Sequence, residues 1–316
     1  MTLTKAELNV LLEIEEPITL RGLSEKLDLS KSTLSSTLHS LERKGLVELE
    51  GKKPITVKPA ENNVIELLRR IIMEYPHVNA APILTGNRLK VLAALEVENP
   101  QPLWLIQLRT GVSRATLHRI LNGLMEALIV GKRDRGYFLS ERFAPFKAFA
   151  DEYFYLQNSI KAKEFDPGAS PVWSGVEELI LATGNFKGES VGGFQLTGLA
   201  RFSDFGLPLI SSGIYHYYWP SRGLSIEEVA VHTLTVGRDA RELLYTIVLL
   251  KGKDFDERKL RRLSAKFGVS STVEELLEYL KGMDKPYPFP SREEVEELCR
   301  QYFGGCKNDN KGQTDP

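Results

Sequence analysis

Leucines and their neighbours set the first pattern in this chain. Leu20, Leu23 and Leu27 keep helical spacing, and Asp28-Leu29-Ser30 interrupts it. Leu34, Leu38 and Leu41 then resume it at i, i+4 and i+7, the spacing of one buried helical stripe. An earlier run, Ala6, Leu8, Leu11, Leu12 and Ile14, is closed by Pro17. Ser30 is placed to cap the helix that follows, because its hydroxyl can accept from an unpaired amide of the first turn. Gly45 is placed to end it in a left-handed conformation. Leu46-Val47 and Ile55-Thr56-Val57 alternate as strands around the turn Glu50-Gly51-Lys52-Lys53-Pro54. Three short helices and a hairpin are expected within 1–60.

The same pattern returns 83 residues later. Leu12 meets Leu95, Leu20 meets Leu103, Ser30 meets Ser113, and Thr33-Leu34 meets Thr116-Leu117. Leu38, Leu41 and Val47 meet Leu121, Leu124 and Val130. An ungapped match through buried positions is the mark of internal repetition. The second copy is expected within 84–142. Its turn is Gly111-Val112-Ser113, its hairpin loop Gly131–Gly136, and its closing strand Tyr137-Phe138-Leu139. Between the copies, Val64, Ile65, Leu67, Leu68, Ile71 and Ile72 give a linker helix in 61–83 with a broad apolar face.

The stretch LSEKLDLSKSTLSSTLHSLERKGLVEL resembles the winged helix-turn-helix family of DNA-binding transcription regulators. LIQLRTGVSRATLHRILNGLMEALIVGKRDRGYFLSE resembles it a second time. The resemblance implies that the third helix of each copy lies in a major groove of double-stranded DNA while the hairpin touches the backbone. In the first copy Lys31, Ser32, Ser35, Ser36 and His39 then face the groove, and Lys52 and Lys53 reach phosphates. In the second copy Arg114, His118, Arg119 and Asn122 face the groove. Arginine can pair bidentately with guanine and asparagine with adenine. Lys132, Arg133 and Arg135 are that copy's phosphate contacts. Each of these residues is equally at home on an ordinary solvated helix face or turn.

From Arg142 the character changes. Phe143, Phe146, Phe149, Tyr153 and Leu156 mark a long helix ending near Lys163, an aromatic stripe of the kind found in cores and seams. Residues 164–175 read as a link, and Val172–Thr183 as a helix. Ile214–Trp219 and Val229–Val236 read as strands, with Glu227-Glu228 at an apparent helix start. Arg238–Leu250, Glu257–Phe267 and Val273–Lys281 read as helices, the last capped by Ser271 or Thr272. A mixed domain over 143–283 follows, then an acidic amphipathic helix, Ser291–Phe303, and a disordered end within 284–316. The expected fold class is α+β: two tandem winged helices followed by a mixed α+β domain. TGLARFSDFGLPL, VAVHTLTV and DARELLYTIVLLKGKDFDERKLRRLSAKFG together resemble the C-terminal domain of AbiEi-type antitoxins and their archaeal relatives, over roughly 176–281. That resemblance implies an α+β domain that binds a protein partner such as a nucleotidyltransferase toxin, while the winged helices autoregulate a promoter.

Charge sharpens the picture. The chain of 316 residues holds 41 basic and 42 acidic residues, a formal −1, so it is not a general polycation. Residues 1–60 carry nine of each sign, 84–142 carry nine basic and five acidic, and 143–316 carry 21 basic and 25 acidic. The basic excess therefore sits in the second copy. The glycine-rich stretch Gly192–Arg201 contains neither a phosphate loop nor a dinucleotide fingerprint. Asp204 is the only aspartate between 191 and 238, so the carboxylate pair of a magnesium-dependent transferase is missing. Cys299 and Cys306 lack partners for a zinc site or a disulfide framework. No apolar run of membrane-spanning length and no secretion signal occurs. The expectation is a cytoplasmic DNA-binding protein with no catalytic residues, cofactor, metal or membrane partner. A homodimer through the aromatic helix or the third domain is one further possibility. A ligand-sensing pocket lined by Trp173, Trp219 and the tyrosines is another.

Overall fold

A computed structural model describes residues 2–209, 213–237 and 239–306. The chain divides into two compact units. Of the described residues, those up to 161 with 175–177 form the first, and 162–174 with those from 178 onward form the second.

The first unit opens with α1 (Lys5–Leu12), β1 (Ile18–Thr19), α2 (Leu20–Leu27), α3 (Lys31–Arg43), β2 (Val47–Glu50) and β3 (Thr56–Pro59). Thr4 caps α1 in a box with Glu7, and Ser30 caps α3 by accepting from the Thr33 amide. Asp28 takes the left-handed conformation that turns α2 into α3. The sheet order is β1-β3-β2. After α4 (Asn63–Glu74) and the short α5 (Ala80–Ile83), the series recurs: α6 (Gly86–Ala94), β4 (Gln101–Pro102), α7 (Leu103–Thr110), α8 (Arg114–Glu126), β5 (Val130–Arg133) and β6 (Gly136–Leu139). Its sheet order, β4-β6-β5, repeats the first, and Ser113 caps α8 as Ser30 caps α3.

One apolar core runs through both series. It includes Leu34, Leu38 and Leu41 of α3, Leu117, Leu121 and Leu124 of α8, and Val64, Ile65, Leu68 and Ile71 of α4. It also takes Phe146, Phe149 and Tyr153 of α9 (Ala144–Phe165). The aromatic stripe is core. The helix was expected to lead the third domain, yet its residues up to Lys161 belong to the first unit. Gln157 of α9 donates to the carbonyl of Lys44, the C-cap of α3 (2.9 Å), and Asn62, which caps α4, donates to the Gly45 carbonyl (2.7 Å). A carbonyl that a helix end leaves open is thereby satisfied. Gly45 has φ +70°, a conformation that favours glycine, and a Cβ there would stand 3.1 Å from the Ile160 side chain, which would have to give way.

Beneath α3 lies a buried ion pair. Lys44 reaches Glu7 at 2.6 Å, and Ser40 and the Thr4 amide also donate to that carboxylate. Burial raises the Glu7 pKa, and the hydrogen bonds from Lys44, Ser40 and Thr4 outweigh it, so the net shift is downward.

In the second unit, β7 (Ser170–Gly175), β8 (Glu178–Thr183), β9 (Ser190–Val191), β10 (Phe194–Thr197) and β11 (Tyr215–Trp219) form one sheet in the order β7-β8-β11-β10-β9. Both faces are covered. Ile180 and Tyr218 point into the core built with α10 (Ile226–Val236), α11 (Ala240–Gly252), α12 (Glu257–Phe267), α13 (Ser270–Leu280) and α14 (Arg292–Phe303). Leu179, Leu181 and Tyr217 point to a smaller cluster with Ala162, Ala169 and Phe194. This alternation is that of strands.

Several expectations are corrected here. Val172–Thr183 is not a helix, and 164–175 is not only a link: the two stretches contribute β7 and β8, which meet at a turn where Glu177 has φ +55°. Residues 229–236 are helical, not a strand. Ser225 accepts from the Glu228 amide while Glu228 accepts from the Ser225 amide, a capping box that starts α10. Every residue from Ile226 to Leu234 is buried, so the helix shows no polar face to betray its period. Thr233 and Thr235 donate to the carbonyls of Val229 and Val231, which satisfies their hydroxyls inside the core. Helix α13 starts at Ser270, and neither Ser271 nor Thr272 caps it. The C-terminal helix packs on this unit through Val295 and Cys299. Arg238 and residues 307–316 lie outside the described residues.

Two outcomes are expected in denaturant titrations. Lys44→Met leaves the Glu7 carboxylate buried without its partner and should cost about 3–5 kcal/mol. In the unaltered chain Glu7's folded pKa lies below its reference value of 4.5. Its contribution is complete above that value and is lost as pH falls through the folded pKa, and Lys44→Met should flatten that part of the stability–pH curve. Leu128, the equivalent of Gly45 in the second series, has φ +56° and is 68% exposed. Leu128→Gly should stabilise the chain by roughly 0.5–1 kcal/mol, and a loss of stability would remove the strain argument.

Candidate nucleic-acid interface

The buried leucines of α3 and α8 set which residues face outward. On α3, Lys31, Ser32, Ser36 and His39 are exposed and Ser35 is half-buried. The Ser36 hydroxyl donates to the Thr33 carbonyl (2.8 Å), and His39 Nδ1 lies 3.3 Å from Glu42. On α8, Arg114, Arg119 and Asn122 are exposed and His118 is half-buried.

The two hairpins differ more than their equal frames suggest. In the first, Lys52 and Lys53 are exposed at the turn. Behind them Lys58 is held by Glu48 (3.0 Å) and Glu50 (2.7 Å). Hydrogen bonds to Glu50 and Glu48 raise its pKa above the ordinary lysine value. Glu42, Glu48, Glu50 and Glu61 line an adjoining cleft of about 520 Å³. That surface is negative, and phosphates are repelled from it.

The second hairpin is positive. Lys132, Arg133 and Arg135 are all exposed, and Asp134 and Arg135 form the turn with φ of +50° and +65°. Lys132 stands across from Tyr137 in the ladder, its ammonium 5.3 Å from the ring centre. The Arg133 guanidinium lies 5.2 Å from the Phe138 ring centre and donates to the Glu98 carbonyl (2.8 Å). These contacts hold two long side chains across the hairpin, which lowers the entropy lost when they meet a phosphate. Phe138 is able to lie flat because the residue opposite it is Gly131, where a Cβ would stand 2.3 Å from the ring. The sequence marks Tyr137 and Phe138 only as part of the closing strand, and it does not single out Glu98. The signal lay in the register that pairs Gly131 with Phe138 and Lys132 with Tyr137.

Among the described residues no group of three or more His, Cys, Asp or Glu side chains is placed to hold a metal ion. None of the described helices is long and apolar enough to cross a membrane. The glycine-rich stretch forms the β9–β10 turn at Gly192-Gly193, strand β10, and a 3-10 run, Gly198–Phe205. Its Thr197 hydroxyl lies 2.8 Å from Nδ1 of the fully buried His232. Burial, with Lys266 and Arg222 nearby, pushes the His232 pKa down to about 3, so the ring is neutral.

Residues 2–53 match the family model of the MarR family. Residues 192–303 match a family model described only as C-terminal. No curated protein and no solved structure matches the chain. The N-terminal match covers the first helix-turn-helix and the first strand of its hairpin, and it points to a DNA-binding transcription regulator.

Gly131→Ala should force Phe138 off the hairpin and release Arg133 from its platform. The expected result is a fall in melting temperature together with weaker binding to any duplex. Unchanged affinity in an electrophoretic mobility assay would show that the platform has no part in phosphate contact.

Proposed function

We propose that this chain is a sequence-specific regulator of transcription that binds double-stranded DNA, and that it acts by binding, without catalysis or a cofactor. In this reading the second series of elements is a second winged helix, and each chain brings two recognition helices, α3 and α8. The observation that carries it is the outward face of α8, where Arg114, Arg119 and Asn122 are exposed beside a hairpin bearing Lys132, Arg133 and Arg135. Arginine and asparagine are the side chains best matched to guanine and adenine edges, and hairpin cations suit phosphates. The matched MarR-type segment supplies the same frame in the first copy.

The two copies divide the work. The first offers hydroxyls, one histidine and the turn cations Lys52 and Lys53, beside a glutamate-lined cleft. It contributes discrimination at close range and little attraction. The second supplies the long-range attraction and the strongest base contacts.

Selection of bound fragments from a genomic library, followed by titration at several salt concentrations, tests the reading. Retained fragments should share a motif, and affinity should fall steeply with salt. Arg114→Ala with Arg119→Ala should narrow the gap between motif and random duplex by about 1–3 kcal/mol per lost base contact. Lys132→Ala with Arg133→Ala should weaken binding to both alike and reduce the salt slope by about 1 per lost phosphate contact. Absence of any retained fragment, or of a salt slope, sinks the proposal.

A further inference from the structure

The second unit contains a cleft of about 370 Å³ between α11 and the segment leading into α14. That volume is within the range of small-ligand sites. Leu244 and Tyr245 of α11 line it, as do Tyr287 and Phe289 of the segment. Its charged lining residues are Arg241 and Glu294.

The segment is fastened from behind. Phe289 stacks on Tyr279 with ring centres 5.6 Å apart, and Tyr279 donates to the Pro290 carbonyl (3.3 Å). The Arg292 guanidinium lies 5.3 Å from the Tyr279 ring centre and pairs with Asp284 (2.8 Å). Lys285 pairs with Glu278. Pro286, Pro288 and Pro290 restrict the backbone between these ties. Tyr287 is the exception, since the residue is 84% exposed at the cleft while its neighbours are held. A tyrosine has two side-chain torsions, so covering it costs little conformational entropy.

The electrostatics select the occupant. Aromatic faces carry negative potential and attract cations. Arg241 also lines the cleft, and the Asp239 carboxylate stands beside it at the start of α11, where it accepts from the Arg241 backbone amide (2.9 Å). The Glu294 backbone amide donates to Ser291 (3.2 Å), and Glu294 is the acidic residue of the cleft lining. Three aromatic rings and a carboxylate are the elements that recognise a guanidinium or an alkylated ammonium group. We propose that this cleft binds an organic cation, stacked on Tyr245 and Tyr287 with its charge met by Glu294. The cation is either a free small molecule or a basic side chain of a protein segment, since both present the same group.

The full chain without DNA is titrated by tyrosine fluorescence and calorimetry. The probes are choline, its neutral isostere 3,3-dimethylbutan-1-ol, arginine amide, and a capped Gly-Arg-Gly tripeptide. At least one cation should bind roughly tenfold or more tightly than the neutral alcohol. Tyr287→Ala and Glu294→Gln should each weaken that binding by roughly tenfold while the melting temperature stays put, because both side chains are exposed. Tighter binding of the tripeptide than of choline or arginine amide supports a protein segment, and the reverse supports a free molecule. Equal binding of choline and the alcohol, binding untouched by both variants, or no binding by any cation overturns the proposal.

Discussion

Each of the two helix-and-hairpin series is small, and a domain of about 60 residues buries only about 60% of the surface its unfolded chain exposes, so either alone would be marginal. The first unit meets this constraint with one shared core. The leucine stripes of α3 and α8, the apolar face of α4 and the aromatic stripe of α9 all drain into it. Once those stripes are buried, the opposite faces of α3 and α8 have no choice but to face solvent. The candidate DNA-reading residues are therefore positioned by what lies behind them. The buried Glu7–Lys44 pair and the carbonyl contacts from Gln157 and Asn62 lock the end of α3, which sets where the first hairpin begins.

A common frame then carries different chemistry in its two copies. Positions 83 residues apart exchange Ser36 for Arg119, His39 for Asn122, and Glu50 for Arg133. The first hairpin spends its lysine on its own glutamates, while the second props its cations on aromatic rings and a backbone carbonyl. Near-neutral net charge hides this difference. It is local geometry that decides which cations remain available to a phosphate.

The legible parts of the fold were those with local signals. Ser30 and Ser113 cap their helices, Gly45 turns left-handed, and the 83-residue repeat reproduces element order and strand order. Residues 178–183 and 229–236 were misread because they are buried on all sides. A fully buried strand and a fully buried helix both lose the polar alternation from which period is read. In α10 the decisive signal was the capping box at Ser225 and Glu228, which outweighed the strand preference of Val229, Val231 and Thr233. In the candidate site, residue types and exposure were readable, whereas the ring platform under Lys132 and Arg133 depended on hairpin register.

By itself the sequence determined the repeat, the faces of α3 and α8, and the placing of positive charge in the second copy. Helical period, capping chemistry and charge are all local properties. Only the tertiary structure decided that α9 serves the first unit and that 170–183 are paired strands. It alone decided which lysines are consumed by neighbouring carboxylates and which tyrosine stands free at a cleft. Those outcomes turn on which partner each side chain meets once the chain is folded, and helical period, capping chemistry and charge do not encode that partner.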